Sequence, residues 1–412
     1  MALSAFFVDL KLLRDNAAFR RTLVARTVSL SGVGLLTVAL PLQVHALTGS
    51  SAIVGAALAL EGIGMVVGLL VGGIVADRHD RRRLILLARG LCGLGFAGLA
   101  ANCLRADPSL AVLIGLSAWD GFFSGISVTA MAAAIPAIVG RDNLLQARAL
   151  SVIGVRLATV LSPLAGGAII AAGGVGWTYL GAAAATLVTV LTLLGLPALP
   201  PAAAGPGGAA AMLAETAGLV RRGKTLLGAM AFGAVMTLPA GLRVVYPELA
   251  EDVFGGGAVT VGLMTAAVPA GATLGALVSG RTRHLARPGR AMLGLGMLAT
   301  AGLLPLGATD SLPLGLAVLW LHGIAGSLAG LVQYTLIQGH APDRHLGRIN
   351  SLWTAQEVCG TALAAAVVGG LAHALPPSAT VILVAAATLF LVGLLGLSAP
   401  ALRRAPFPSE TA

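Results

Sequence analysis

Between residues 72 and 84 the chain reads Gly-Gly-Ile-Val-Ala-Asp-Arg-His-Asp-Arg-Arg-Arg-Leu. This short, almost wholly charged turn is set between two apolar runs, Ser51–Ala76 and Leu84–Leu104. Each run reaches the roughly 20 apolar residues that a helix needs to cross a bilayer. The pattern is a tight membrane hairpin with a basic turn. Its glycines allow a neighbouring helix to come close. Asp77 is expected to close the first helix, and the arginines suit the cytoplasm and anionic lipid head groups. On its own the turn reads two ways, as a topology signal or as a built contact.

The rest of the chain has the same design. Of 412 residues, 57% are hydrophobic and 10% charged, against about 25% charged in a soluble domain. The spans are expected at 22–47, 51–76, 84–104, 109–140, 144–172, 176–196, 225–250, 258–280, 291–308, 312–340, 346–374 and 378–397. Met1–Arg21 mixes leucines with Lys11, Arg14, Arg20 and Arg21, as a short interfacial helix would. It lacks the apolar core and cleavage site of a signal peptide. The fold class expected is an all-α polytopic membrane protein of twelve transmembrane helices in two pseudo-symmetric six-helix bundles.

Charge supports that count. With twelve spans both termini share one side. Placing the basic side in the cytoplasm puts all but Arg105, Arg156 and Arg243 of the 26 Lys and Arg there, as the positive-inside rule requires. The net charge of +10 lies in short loops without interleaved aromatics, so no nucleic-acid partner is expected. Cys92, Cys103 and Cys359 form neither a disulfide framework nor a metal spacing, and no cofactor or metal is expected. There is no glycine-rich loop ending in lysine for ATP, and no catalytic cluster, so the chain does not read as an enzyme.

One long break, Pro197–Gly223, divides six spans from six. It sets a first bundle at 1–197, a cytoplasmic linker at 198–223 and a second bundle at 224–412. The halves echo each other. Arg148 and Ser151 stand at the start of the fifth span, and Arg348 and Ser351 at the start of the eleventh, each pair 200 residues apart. Weak internal symmetry of this kind is expected of two-lobed transporters.

Few ionisable groups fall inside a span, where each costs about 2.5–3.5 kcal/mol unless it has a partner, water or a function. Glu61, Asp120, Arg156 and Glu357 lie at mid-depth. Asp120 and Arg156 stand at similar depth on consecutive spans and are expected to meet, either as a static pair or as one that opens with cargo or proton. Glu61, Asp120 and Glu357 are the candidates for carrying a proton.

The order Gly73-x-x-x-Asp77-Arg78-x-x-Arg81-Arg82 resembles the signature loop between the second and third helices of the major facilitator superfamily of transporters, although Asp80 stands where that family usually has a glycine. The resemblance implies that Gly73, Asp77, Arg78, Arg81 and Arg82 form a cytoplasmic gate between the halves. Leu86–Phe96, Trp119–Phe123, Leu196–Pro201, Arg243–Pro247 and Leu346–Gln356 resemble one branch of that superfamily, the bacterial enterobactin exporters. That branch implies proton-driven export of a catecholate siderophore from cytoplasm to periplasm. It further implies a bacterial inner membrane, both termini cytoplasmic, and membrane lipid and an outer-envelope efflux protein as partners. Ser162-Pro163-Leu164-Ala165-Gly166-Gly167 partly matches the antiporter motif of the fifth helix and implies a kink at Pro163, with Gly166 and Gly167 packed closely. In the family, helices 1, 4, 7 and 10 line the cavity. Position then nominates Gln43 and His45, Asp120, Met236, and His322, Gln333 and Tyr334, with Arg156, Trp353 and Gln356 beside them. Trp353 would stack on an aromatic cargo or simply pack. The competing readings are a broad drug efflux pump, an importer of the same topology, and a non-transporting receptor.

Overall fold

The structure is a computed structural model describing residues 11–140, 142–201, 209–280, 285–342 and 345–406. Among these residues, twelve helical stretches are long and apolar enough to cross a membrane. In chain order the elements are α1 (Lys11–Asp15), α2 (Ala17–Thr48), α3 (Ser51–Ala76), α4 (Arg81–Cys103), α5 (Leu110–Val139), α6 (Leu144–Gly173) and α7 (Val175–Leu194). Then come α8 (Ala209–Arg222), α9 (Lys224–Met236), α10 (Tyr246–Glu248), α11 (Ala258–Leu277), α12 (Pro288–Ala301), α13 (Leu312–His340), α14 (Leu346–Ala374), α15 (Pro377–Ser398) and α16 (Pro400–Arg404).

Three departures from the sequence reading have local causes. The first span starts at Ala17 and leaves only the five-residue α1 before it; the first ten residues of the expected interfacial helix lie outside the described residues. The break between the halves carries a helix, α8, within its second half. The seventh span, expected as one helix, is α-helical only to Met236. It continues as a 3₁₀ segment, Leu238–Val245, then α10 and a π-turn, Leu249–Val253. Pro239 and Pro247 each remove an amide donor from this stretch, and the Thr237 hydroxyl donates to the Ala234 carbonyl at 2.7 Å where the α-helix ends.

The chain divides into two compact units. One contains residues 1–47 and 60–205, the other residues 48–59 and 206–412. In the first unit α4 packs along both α5 and α7. The close approach of α3 to α5 depends on glycine. A Cβ at Gly68 would lie 2.8 Å from the Phe122 carbonyl carbon, and one at Gly121 would lie 2.9 Å from that of Glu61. Gly64, Gly68 and Gly72 recur every fourth residue and so share one face of α3. On α6, the Ser162 Cβ stands 2.5 Å from where a Cβ at Gly34 of α2 would be, and Gly166 meets the Leu35 carbonyl oxygen at 3.3 Å. Helix α6 runs unbroken through Pro163, and Gly167 is buried.

The second unit repeats the device. A Cβ at Gly271 of α11 would lie 2.8 Å from the Trp320 carbonyl carbon of α13, and one at Gly323 would lie 3.0 Å from that of Val268. Gly271 follows Gly68 by 203 residues and Gly323 follows Gly121 by 202, so the internal repeat extends to helix packing. The first turns of α3 belong to this second unit. Ser51 donates to a Glu248 carboxylate oxygen at 2.6 Å, and Gly55 fits against the Ala365 carbonyl of α14.

Candidate functional site

Asp80 begins α4. Its Oδ1 accepts from the Arg83 amide at 3.0 Å, which satisfies one of the unpaired donors at a helix start. Its Oδ2 accepts from the Leu199 amide at 2.9 Å. The Arg81 amide donates back to the Leu199 carbonyl at 2.9 Å. Arg81 is buried and donates to the Ala133 carbonyl at 3.3 Å, while Arg82 donates to the Leu194 carbonyl at 2.6 Å. The charged turn therefore fastens the start of α4 to the ends of α5 and α7 within one unit. Asp77 and Arg78 are exposed, and Gly73 is half-buried. Asp77 follows the last residue of α3, and its amide donates to the Gly73 carbonyl at 3.3 Å; the carboxylate that caps the next helix is that of Asp80, the residue immediately before the first turn of α4.

Deeper in the same unit lies a buried polar cluster between α4 and α5. Asp120 is 2% exposed and Arg89 8% exposed. The Ser124 hydroxyl donates to Asp120 Oδ1 at 3.3 Å, and the Cys92 thiol lies 3.7 Å from Ser124 Oγ and 4.0 Å from the Asp120 carbonyl. Arg89 Nε donates to Ser127 Oγ at 2.7 Å, and its Nη1 is buried without a hydrogen-bond partner. The charge of Arg89 acts on Asp120, and Arg26 of α2 acts on Arg89. The expected Asp120–Arg156 pair is not formed. The ion pairs among the described residues are those of Glu215 with His345 and Arg348. Equal depth places two residues at one level but does not fix which way each helix face turns; Asp120 faces α4. Arg156 is half-buried on α6, and Glu61 is half-buried on α3.

Gln43 is buried and engaged on both sides. It accepts from the Tyr179 hydroxyl at 2.7 Å and donates to Cys103 Sγ at 3.0 Å, tying α2 to α7 and α4. In this state its amide holds helices together. His45, at the far end of α2, has a buried Nδ1 with no hydrogen-bond partner.

In the second unit two glutamines grip α9. Gln333 of α13 donates to the Ala229 carbonyl at 2.9 Å, and Gln356 of α14 donates to the Met230 carbonyl at 2.8 Å. Gly233 makes room for both amides: a Cβ there would stand 3.1 Å from Gln356 Nε2, with Gln333 closer still. Tyr334 and Trp353 form a tilted ring pair with centroids 5.5 Å apart, and the Trp353 Nε1 is buried without a hydrogen-bond partner. Met236 is half-buried at the end of α9, and Glu357 is exposed. His322 Nδ1 lies 3.0 Å from the Ala299 carbonyl, so it bridges α13 and α12. Among the described residues no group of three or more His, Cys, Asp or Glu could hold a metal ion.

Reading the residues alone missed Arg89, Cys92, Tyr179 and Glu215. Arg89 carried a signal, as a charge five residues inside the apolar run that begins at Leu84. The model of the Major Facilitator Superfamily matches residues 22–242 and 240–411. The "Enterobactin exporter EntS" of Shigella boydii serotype 4 (strain Sb227) is 43% identical over 380 residues, which is 91% of this chain and 90% of that protein. The protein of the same name from Escherichia coli O139:H28 gives the same identity and coverage. Among solved structures, a POT family transporter in complex with 5-aminolevulinic acid superposes with a TM-score of 0.76 at 11% identity, over 94% of this chain and 97% of that one. The nucleoside transporter NupG gives 0.73 at 14% identity, over 92% and 98%. At such identities the solved structures speak to the fold alone.

Proposed function

We propose that this chain, which belongs to the Major Facilitator Superfamily, exports a catecholate siderophore of the enterobactin class from cytoplasm to periplasm by alternating access, in exchange for protons. The observation that carries the reading is the 43% identity with enterobactin exporters, running over 91% of this chain and 90% of theirs. Matching of that extent covers both halves rather than one shared module. The setting is a bacterial inner membrane with both termini cytoplasmic, which is the orientation that gives the basic turns the cytoplasmic side. Lipid surrounds the helices, and an outer-envelope efflux protein would carry the cargo onward.

The side chains suit that cargo. Tyr334 and Trp353 offer paired aromatic faces, and the Trp353 N–H has no partner of its own. Stacking on such faces favours a catechol ring, and a buried donor without a partner gains most from a carbonyl or phenol oxygen. Arg156 and Gln356 would add polar contacts. Gly73, Asp77, Arg78, Arg81 and Arg82 would serve the cytoplasmic gate, with Asp77 as the exposed carboxylate left free to do so. Glu61, Asp120 and Glu357 are the proton candidates, of which Asp120 is the most buried.

Deletion of the gene under iron starvation tests the export reading. The expected result is less catecholate siderophore in the medium and more of it, or of its breakdown products, in the cells. Unchanged release in a strain lacking other siderophore pumps would sink the reading.

A further inference from the structure

The cluster between α4 and α5 is larger than the proton reading of Asp120 requires. Three features set it apart from ordinary packing. A carboxylate and a guanidinium are both more than nine-tenths buried, yet no salt bridge at or below 4 Å joins them. The guanidinium spends its Nε on a neutral hydroxyl, Ser127, and leaves Nη1 with no hydrogen-bond partner. Asp120 in turn takes its side-chain hydrogen bond from a neutral hydroxyl, Ser124. A buried charge held this way is costly unless the arrangement has a second state in which the charges are better matched.

The spacing supplies that second state. Asp120, Ser124 and Ser127 stand at i, i+4 and i+7 on α5, so they line one face of the helix. Arg89 and Cys92 stand at i and i+3 on the facing stretch of α4. Arg89 meets the face at Ser127 and Cys92 meets it at Ser124, which makes a continuous polar seam leading from the guanidinium to the carboxylate. A long, flexible arginine can move its head along such a seam.

We infer that Arg89 is the mobile counter-charge of a proton-carrying Asp120, its guanidinium held by Ser127 in one state and drawn onto the Asp120 carboxylate in the other. The inference rests on the proton-exchange part of the proposed function and names its working pair. When a proton adds to a carboxylate oxygen of Asp120, the attraction on Arg89 disappears and the guanidinium settles on Ser127. When the proton leaves the same oxygen, the guanidinium swings back to the anion. No other bond is made or broken. The other ionisable groups near the pair are Cys92 on α4, Arg26 on α2, which repels Arg89, and Glu61 on α3, whose carbonyl lies against Gly121 beside Asp120. Arg156 on α6 forms no ion pair with Asp120. Arg89 is a positioning residue, because it acts on the proton through Asp120.

The test uses the full-length protein in proteoliposomes, with an internal pH dye and an iron-free catecholate siderophore as the probe. Wild type is expected to move protons when siderophore moves, with a pH midpoint. Asp120→Asn should move no protons with siderophore at any pH. Arg89→Gln should displace the midpoint to higher pH by about one unit, because a carboxylate that loses a nearby cation keeps its proton longer. Arg89→Lys should bring the midpoint back toward wild type. An Arg89→Gln midpoint equal to that of wild type would overturn the inference. Should Arg89→Gln fail to insert, the double variant R89Q/D120N, which removes both charges together, takes its place. Siderophore exchange by that variant at a rate independent of pH supports the pair, and exchange that still follows pH overturns it. Wild type that moves siderophore with no protons refutes this inference and leaves the export reading standing, whereas wild type that moves no siderophore refutes both.

Discussion

Asp80 holds Leu199 through its carboxylate, and the amide of the next residue, Arg81, holds the Leu199 carbonyl. The Leu199 amide donates to the Asp80 carboxylate, and the Leu199 carbonyl accepts from the Arg81 amide, each at 2.9 Å. The same carboxylate caps α4. One side chain thus fixes where the third span begins and where the stretch after the sixth span is anchored. A glycine at this position could do neither. The charged turn is therefore two devices in one sequence: Asp80, Arg81 and Arg82 fasten a single unit, while Asp77 and Arg78 remain exposed.

This division predicts opposite signatures for two neighbouring aspartates. Asp80→Ala should lower thermal stability. Loss of an N-cap costs about 1 kcal/mol, and the Leu199 amide loses its acceptor as well. Asp77→Asn should leave the melting temperature in place and instead change the ratio of inner-face to outer-face cysteine labelling, measured in a background without Cys92, Cys103 and Cys359. If Asp77→Asn melts early and Asp80→Ala does not, the assignment is reversed.

Glycine packing gives a sharper contrast. Gly68→Leu on α3 and Gly271→Leu on α11 must each drive a helix away from a backbone already in contact, at Phe122 and Trp320 respectively. Both variants should express poorly or lose transport, since overpacking costs about 1–3 kcal/mol even where side chains can yield, and backbone yields less. Gly90→Ala and Gly326→Ala meet nothing within 4 Å and should behave as wild type. Detergent-solubilised yield and melting temperature separate the two groups.

The spans were legible because bilayer thickness sets a minimum apolar length, and α3, α13 and α14 start and stop within a residue or two of the runs read from the sequence. The seventh was legible as a span but not in its helix type, because an apolar run records membrane depth and says nothing of whether the helix is α, 3₁₀ or π; Pro239 and Pro247 were the available signal. The site was harder. Residue position gives depth along a helix, and Asp120 and Arg156 do share depth, but helices apolar on all sides carry little rotational signal. Arg89 counted only among the cytoplasmic-side basic residues, although it is buried against Ser127.

The absence of an Asp120–Arg156 pair alters what a double mutant should do. If the two balanced each other, removing both charges would restore transport lost in either single variant. Here Arg156→Ala should reduce siderophore transport severalfold with normal insertion, and Asp120→Asn added to it should give no recovery. Transport by the double variant approaching wild type would mean that the two charges meet during the cycle.

The linker helix offers the last test. Glu215 on α8 meets Arg348 at 2.8 Å and His345 at 3.8 Å, where α14 begins. Arg348 is the repeat partner of Arg148, but its acidic partner comes from the linker, which has no counterpart in the first half. Both members of the Glu215–Arg348 pair are partly in solvent, at 57% and 36% side-chain exposure, so the pair contributes about 0–1 kcal/mol to stability. Its removal should barely move the melting temperature. A contact of that size can still shift a two-state population severalfold. Glu215→Arg places like charges together and should slow transport, and Arg348→Glu in the same chain should restore it at low salt, the condition under which exposed pairs are least screened. Equal rates in wild type, Glu215→Arg and the swapped pair would make α8 a passive tether between the halves.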